Sequence, residues 1–264
     1  MDWMFIGGIA TGFAALAARH VYRRREQRSA ADAAGLEPSE DLSHVSPALQ
    51  RTALWLLAEG GFESRVVRGS FARDHGDVTV TAFDLETHRE RRGEWAQLPV
   101  VPPFRIAGTV SAVVCETDLD LPHLLLKRAG RGDELREDTE VDRLASMPKR
   151  MRFALMLGSH HESELPSTLT PDPIGAALPE GWRAYGSAEL LKSLLACGFA
   201  DVLERASRRD LVIELLANLV VVYPAAREVA GPDALADLTT TALIVVDGVL
   251  AALPPTSPRG MEPS

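Results

Sequence analysis

Four polar residues lie close enough in sequence to share chemistry: Glu116, Asp118, Asp120 and His123. In an extended segment, side chains alternate between two faces. Glu116, Asp118 and Asp120 then share one face, and Thr117, Leu119 and Leu121 the other. Three carboxylates on one face could hold Ca²⁺ or Mg²⁺, which take oxygen ligands. No glycine-bearing metal loop follows, and Pro122 closes the run, so a solvated strand face is the plainer expectation. His160, His161, Glu162 and Glu164 form a second polar group, but they sit in a proline-rich stretch and lack the H-E-x-x-H spacing.

Other chemistries leave weaker traces. No G-x-S-x-G frames a serine, and nothing marks Ser70 or Ser159 as a nucleophile. Gly130-Arg131-Gly132 is not followed by an apolar-periodic helix, so it reads as a turn and not a phosphate cradle. Arg89, Arg91 and Arg92 could face a membrane, but Glu86, Glu90 and Glu94 offset them. Cys115 and Cys197 both lie in apolar surroundings and read as buried, reduced thiols. No catalytic, metal-binding or cofactor-binding residue is therefore assigned, and no cofactor is expected.

Charge narrows the partner class. The 264 residues carry a formal charge of −9. Residues 19–28 hold Arg19, Arg23, Arg24, Arg25 and Arg28 against Glu26, a local +4; with Asp2 also set aside, the chain from Ser29 onward carries −12. A domain that acidic repels nucleic acid, so no nucleic-acid partner is expected. A hydrophobic fraction of 46% is enough to build a sizeable core.

The elements that would position these residues begin with an uncharged stretch from Trp3 to Ala18. Trp3 and Tyr22 bracket it at a separation of roughly 29 Å of helix, close to a bilayer's hydrocarbon thickness. This pattern predicts a transmembrane anchor over residues 1–25 with a basic flank. The arginines after it predict an outside N-terminus and a cytoplasmic domain, in a single-pass protein of the cell membrane. Arginines that follow at once, with no basic segment before, argue against a cleaved signal peptide. Gly8 and Gly12 form a GxxxG that permits a weak homodimer contact.

Residues 26–45 read as a linker. Ser46-Pro47 predicts a capped helix running to Glu59 and stopped by Gly60-Gly61. Val78, Val80 and Ala82 alternate after a turn at residues 74–77, which predicts a hairpin. Arg105–Thr117 predicts a strand, and Leu124-Leu125-Leu126 a shorter one. Residues 129–150 and 158–181 read as insertions. Ser187 and Gly198 predict the ends of a helix over Ala188–Ala196. Phe199–Arg205 and Leu211–Val222 read as a hairpin, with helix the alternative for the second half. Pro232 opens a final helix to Leu253, too short and too polar for a second span, and residues 254–264 read as a tail. The whole predicts one α+β domain over residues 46–253: an antiparallel sheet, packed by helices on one face, behind an N-terminal transmembrane helix.

The anchor and arginine run, with Val66-Val67-Arg68-Gly69-Ser70-Phe71, Val80-Thr81-Ala82-Phe83-Asp84, Gly181-Trp182-Arg183 and a long last helix, resemble actinobacterial single-pass membrane-anchored proteins. That resemblance implies membrane attachment and no particular activity. The expected function is a membrane-tethered cytoplasmic binding or scaffold module for a protein partner. The alternatives are a metal-dependent enzyme using the Glu116–His123 group, or a lipid or small-ligand sensor with a pocket between sheet and last helix.

Overall fold

The computed structural model describes residues 24–57, 62–74, 76–90, 104–128, 166–169, 173–206, 210–224 and 230–253. Residues 24–34 are helical (α1). They lead to β1 (Glu37–Pro38), a 3-10 turn (Pro47–Arg51) and α2 (Ala53–Leu57), then β2 (Phe62–Arg73), β3 (Gly76–Glu90) and β4 (Phe104–Arg128). The second half holds β5 (Trp182–Gly186), α3 (Ala188–Ala196), α4 (Phe199–Arg205), β6 (Leu211–Pro224) and α5 (Pro232–Ala252).

One antiparallel sheet organises these elements in the order β1-β2-β3-β4-β5, with β6 also paired to β4. The long β4 carries the sheet: residues 104–116 pair with β3, and residues 124–128 with β5. Residues 113–127 pair with β6. Strand alternation sorts the core. Val67, Val78, Val80, Ala82, Val113, Cys115, Val220 and Val222 face one way and pack under α1, α3, α4 and α5. Val66, Phe83, Leu85, Ala112, Val114, Leu219 and Val221 face the other way, under the 3-10 turn, α2 and Leu169.

Several expectations are corrected by this arrangement. The fold is α+β with an antiparallel sheet, but the helix long and apolar enough to cross a membrane among the described residues is the C-terminal α5, not an N-terminal one. Residues 1–23, including Gly8 and Gly12, lie outside the described residues. Helices cover both faces of the sheet and not one, because the strands are apolar on both sides: β6 is buried at twelve of its fourteen positions.

The stretch expected to link anchor and domain belongs to the domain. Ala30 and Ala31 of α1 are buried, Gln27 Nε2 donates to Ser39 O at 2.8 Å and Val66 O at 2.7 Å, and β1 extends the sheet. The helix expected over Ala48–Glu59 breaks at Thr52, whose backbone is extended. Its hydroxyl donates to Leu49 O at 2.6 Å and accepts from Trp55 N at 3.2 Å, ending one turn and capping the next. Phe199–Arg205 is helix and Leu211–Pro224 strand, so the expected hairpin there does not form.

Candidate functional site

The carboxylate group of β4 does not assemble. Glu116 pairs with Leu219 and Leu121 with Ala217, so four residues of β4, Thr117–Asp120, stand opposite the single Asn218. The resulting bulge breaks the alternation that would have stacked three acids on one face. It also holds Ala217 at a left-handed φ of 52°. Glu116 instead accepts from Ser46 N at 3.1 Å and pairs with Arg68 at 3.5 Å. Asp118 and Asp120 are exposed, and Asp118 lines only a crevice of about 20 Å³, room for about one water. Among the described residues, no three His, Cys, Asp or Glu side chains stand close enough together to hold a metal ion.

His123 turns the other way, into the sheet face under α2. Its Nε2 lies 2.7 Å from Glu214 Oε1, and its Nδ1 contacts Thr168 Oγ1. Glu214 is fully buried on β6. Its Oε1 also accepts from Ala53 N at 2.6 Å and its Oε2 from Leu54 N at 3.5 Å, which caps the start of α2. Tyr223 Oη donates to Oε2 at 3.5 Å. Burial, and then the Glu214 charge, push the Tyr223 hydroxyl well above the usual tyrosine range, so it stays a donor.

A second polar group closes the helix face near the start of α5. Arg65 Nη2 donates to Asp84 Oδ1 at 2.8 Å and to Ala230 O at 2.6 Å. Ser111 Oγ donates to Asp84 Oδ1 at 2.6 Å and accepts from Ala230 N at 2.8 Å. The arginine reaches this position from the bulge between Ser64 and Val67, where its own φ is 48°. Burial raises the Asp84 carboxyl above its ordinary range even with Arg65 beside it.

An open cleft of about 460 Å³ lies where β2 meets α4 and α5. Arg73, Asp74, Asp201, Arg205 and Asp247 line it, a mixed-charge surface. Arg73 pairs with Asp247 at 3.6 Å and stacks over Phe71. Cys197, expected to be buried, caps the end of α3 and is exposed there. Cys115 is buried as expected, and desolvation pushes its thiol up to about 12, so it is inert at neutral pH.

Of the remaining sequence candidates, Ser70 is exposed on β2. Ser159, His160, His161, Glu162, Glu164, Gly130–Gly132, Arg91 and Arg92 lie outside the described residues, as does the side chain of Arg89. Sequence reasoning missed Glu214 and Thr168. A lone acid inside Leu-Val-Ile-Glu-Leu-Leu was the available signal for Glu214, since an acid in a buried strand needs partners. Thr168 carried no signal, being one hydroxyl in a stretch read as an insertion.

The arrangement thus defines an α+β domain with a solid two-faced core, a buried acid–histidine pair and an open polar cleft. No family model matches the chain, and no curated protein matches it. Among solved structures it is similar to the crystal structure of the mycobacterial trehalose monomycolate transport factor A, TtfA. The identity is 12%, covering 89% of this chain and 97% of that chain, with a TM-score of 0.42.

Proposed function

We propose that the chain is a membrane-associated binding or scaffold module whose domain works on the cytoplasmic side. The observation that carries this reading is the mixed-charge cleft between β2, α4 and α5. Its charged groups sit at the surface, where they can meet a protein partner, whereas the Arg65–Asp84 pair and the Glu214 carboxylate are engaged inside the fold. An interface of this kind gains specificity from charge complementarity. The exposed Arg24, Arg25 and Arg28 add a basic end to an otherwise acidic domain, a match for anionic headgroups.

The two alternatives lose ground on the geometry. The acids of β4 do not converge, and among the described residues no three His, Cys, Asp or Glu side chains are placed to hold a metal ion. A sensor pocket under α5 would need space that is filled: Val80, Val113, Cys115, Val220 and Val222 meet Leu238, Ala242, Val245, Val246 and Val249, all fully buried.

The test is cell fractionation followed by protease protection, with a C-terminal tag on the full chain. We expect the chain in the membrane fraction, and the tag protected in sealed right-side-out vesicles until they are opened. Recovery in the soluble fraction overturns the membrane reading. Immediate loss of the tag overturns the sidedness.

A further inference from the structure

We propose that Glu214, His123 and Thr168 form a proton relay that makes the Thr168 hydroxyl a nucleophile toward activated esters. The direction of the relay follows from the donors. The Ala53 amide can only donate, so Glu214 Oε1 is an acceptor at 2.6 Å. With Glu214 as the carboxylate, which has no proton to give, the proton shared with His123 at 2.7 Å sits on Nε2. In the neutral ring that leaves Nδ1 as the acceptor, and the Thr168 hydroxyl donates to it. Carboxylate, imidazole and hydroxyl then stand in the order that general-base activation requires.

Burial separates the roles. Glu214 and His123 side chains are 0% and 3% exposed, so the carboxylate holds the ring in a largely dry setting. Thr168 is exposed, on the turn closed by the bond from Leu169 N to Pro166 O at 3.1 Å. The turn is fixed to the domain by Leu169, which is buried beside Tyr185 and Leu125. Gly186 lets β5 run close against the backbone of His123, because a Cβ there would collide with His123 O. Thr168 is an exposed residue whose hydroxyl turns in to meet a largely buried base, which places it to attack and not only to tie down a loop.

With p-nitrophenyl acetate the step balances without any further reactant. Thr168 Oγ bonds to the carbonyl carbon while the bond to p-nitrophenolate breaks. The hydroxyl proton passes to His123 Nδ1 and then to the leaving phenolate. Water arriving at the exposed Thr168 attacks the acetyl carbon; its proton passes to His123 Nδ1 and on to Thr168 Oγ as acetate leaves. His123 is the base, and Glu214 a positioning residue that holds the ring and its tautomer.

The experiment incubates the full chain with p-nitrophenyl acetate, following phenolate release and locating any acetyl group by peptide mass spectrometry. We expect release above the solvent rate and an acetyl on Thr168. Thr168→Ser should retain both, and Thr168→Val, which keeps the side chain's shape and removes its hydroxyl, should lose both. His123→Gln should slow release at least about 10²-fold per folded molecule, the scale of a lost general base. Glu214→Gln keeps an acceptor for Ala53 but removes the charge, and should slow release about tenfold or more per folded molecule, a loss that a purely structural role would not produce. Neither release nor adduct in the native chain, or equal release from Thr168→Val, overturns the proposal and leaves Thr168 as a fastener of its turn.

Discussion

The two faces of the sheet solve the same packing problem differently. The face under α1, α3, α4 and α5 is apolar through its centre and keeps its charges, Arg65 and Asp84, at the margin beside Ala230. The face under α2 has little helix to cover it, and it places a carboxylate in its interior instead. Glu214 supplies the acceptor that α2's first amides lack, and draws in His123 and Tyr223. The helix face is held by area and fit. The opposite face is held by a few polar contacts, each costly to lose because its partners are buried.

That contrast predicts where single changes hurt most. Glu214→Ala should be the more severe, because it strands the Ala53 amide and the His123 ring in an apolar setting. We expect a loss of about 4 kcal/mol, the scale of breaking a buried pair by removing one partner. Urea unfolding checks it, and a loss below about 1 kcal/mol would mean water or rearrangement repairs the network. Leu238→Ala on the helix face removes fully buried apolar volume and should cost about 3 kcal/mol. If it cost more than Glu214→Ala, the polar face would not be the brittle one.

How much of this was legible in the sequence depends on the face. On the helix face, periodicity was enough. Val78, Val80 and Ala82 read as one side of a strand, and all three are buried together. Ser187 reads as a cap, and its hydroxyl accepts from Leu190 N at 3.2 Å. Gly198 reads as a helix stop, and its φ is 84°. On the opposite face, the decisive contacts join residues far apart in the chain. Glu214 meets Ala53 across 161 positions and His123 across 91. No local pattern encodes such a pairing.

The bulge on β4 misled for a related reason. Period-two alternation assumes regular pairing, and the extra residues opposite Asn218 exist only because β6 is the partner. His123 was singled out as a companion of Glu116, and the same bulge turned it toward Glu214. The last helix, expected to be too short and too polar for a span, is the described helix with the length and apolar character of one. It nonetheless packs on β4 and β6 with Leu235, Val245 and Val249 buried against them.

The margin of the helix face supplies the smallest effect and the finest test. Burial raises the Asp84 carboxyl above the 3.8 of an unfolded aspartate, and Arg65 and Ser111 only partly oppose it. Between 3.8 and the raised folded value, the folded state binds more protons at this position than the unfolded state does. Its contribution to stability is therefore fully present below the unfolded value, and is lost as pH rises through the folded one. Asp84→Asn removes that titration and leaves a pH-independent offset from the altered Arg65 contact. Urea unfolding of both forms between about pH 4 and 7 should show native stability falling, relative to the variant, as pH rises. The reverse slope would mean that Arg65 and Ser111 outweigh desolvation. The margin would then be held by its polar partners, as the opposite face is, and the contrast between the two faces would narrow to the placement of their polar groups.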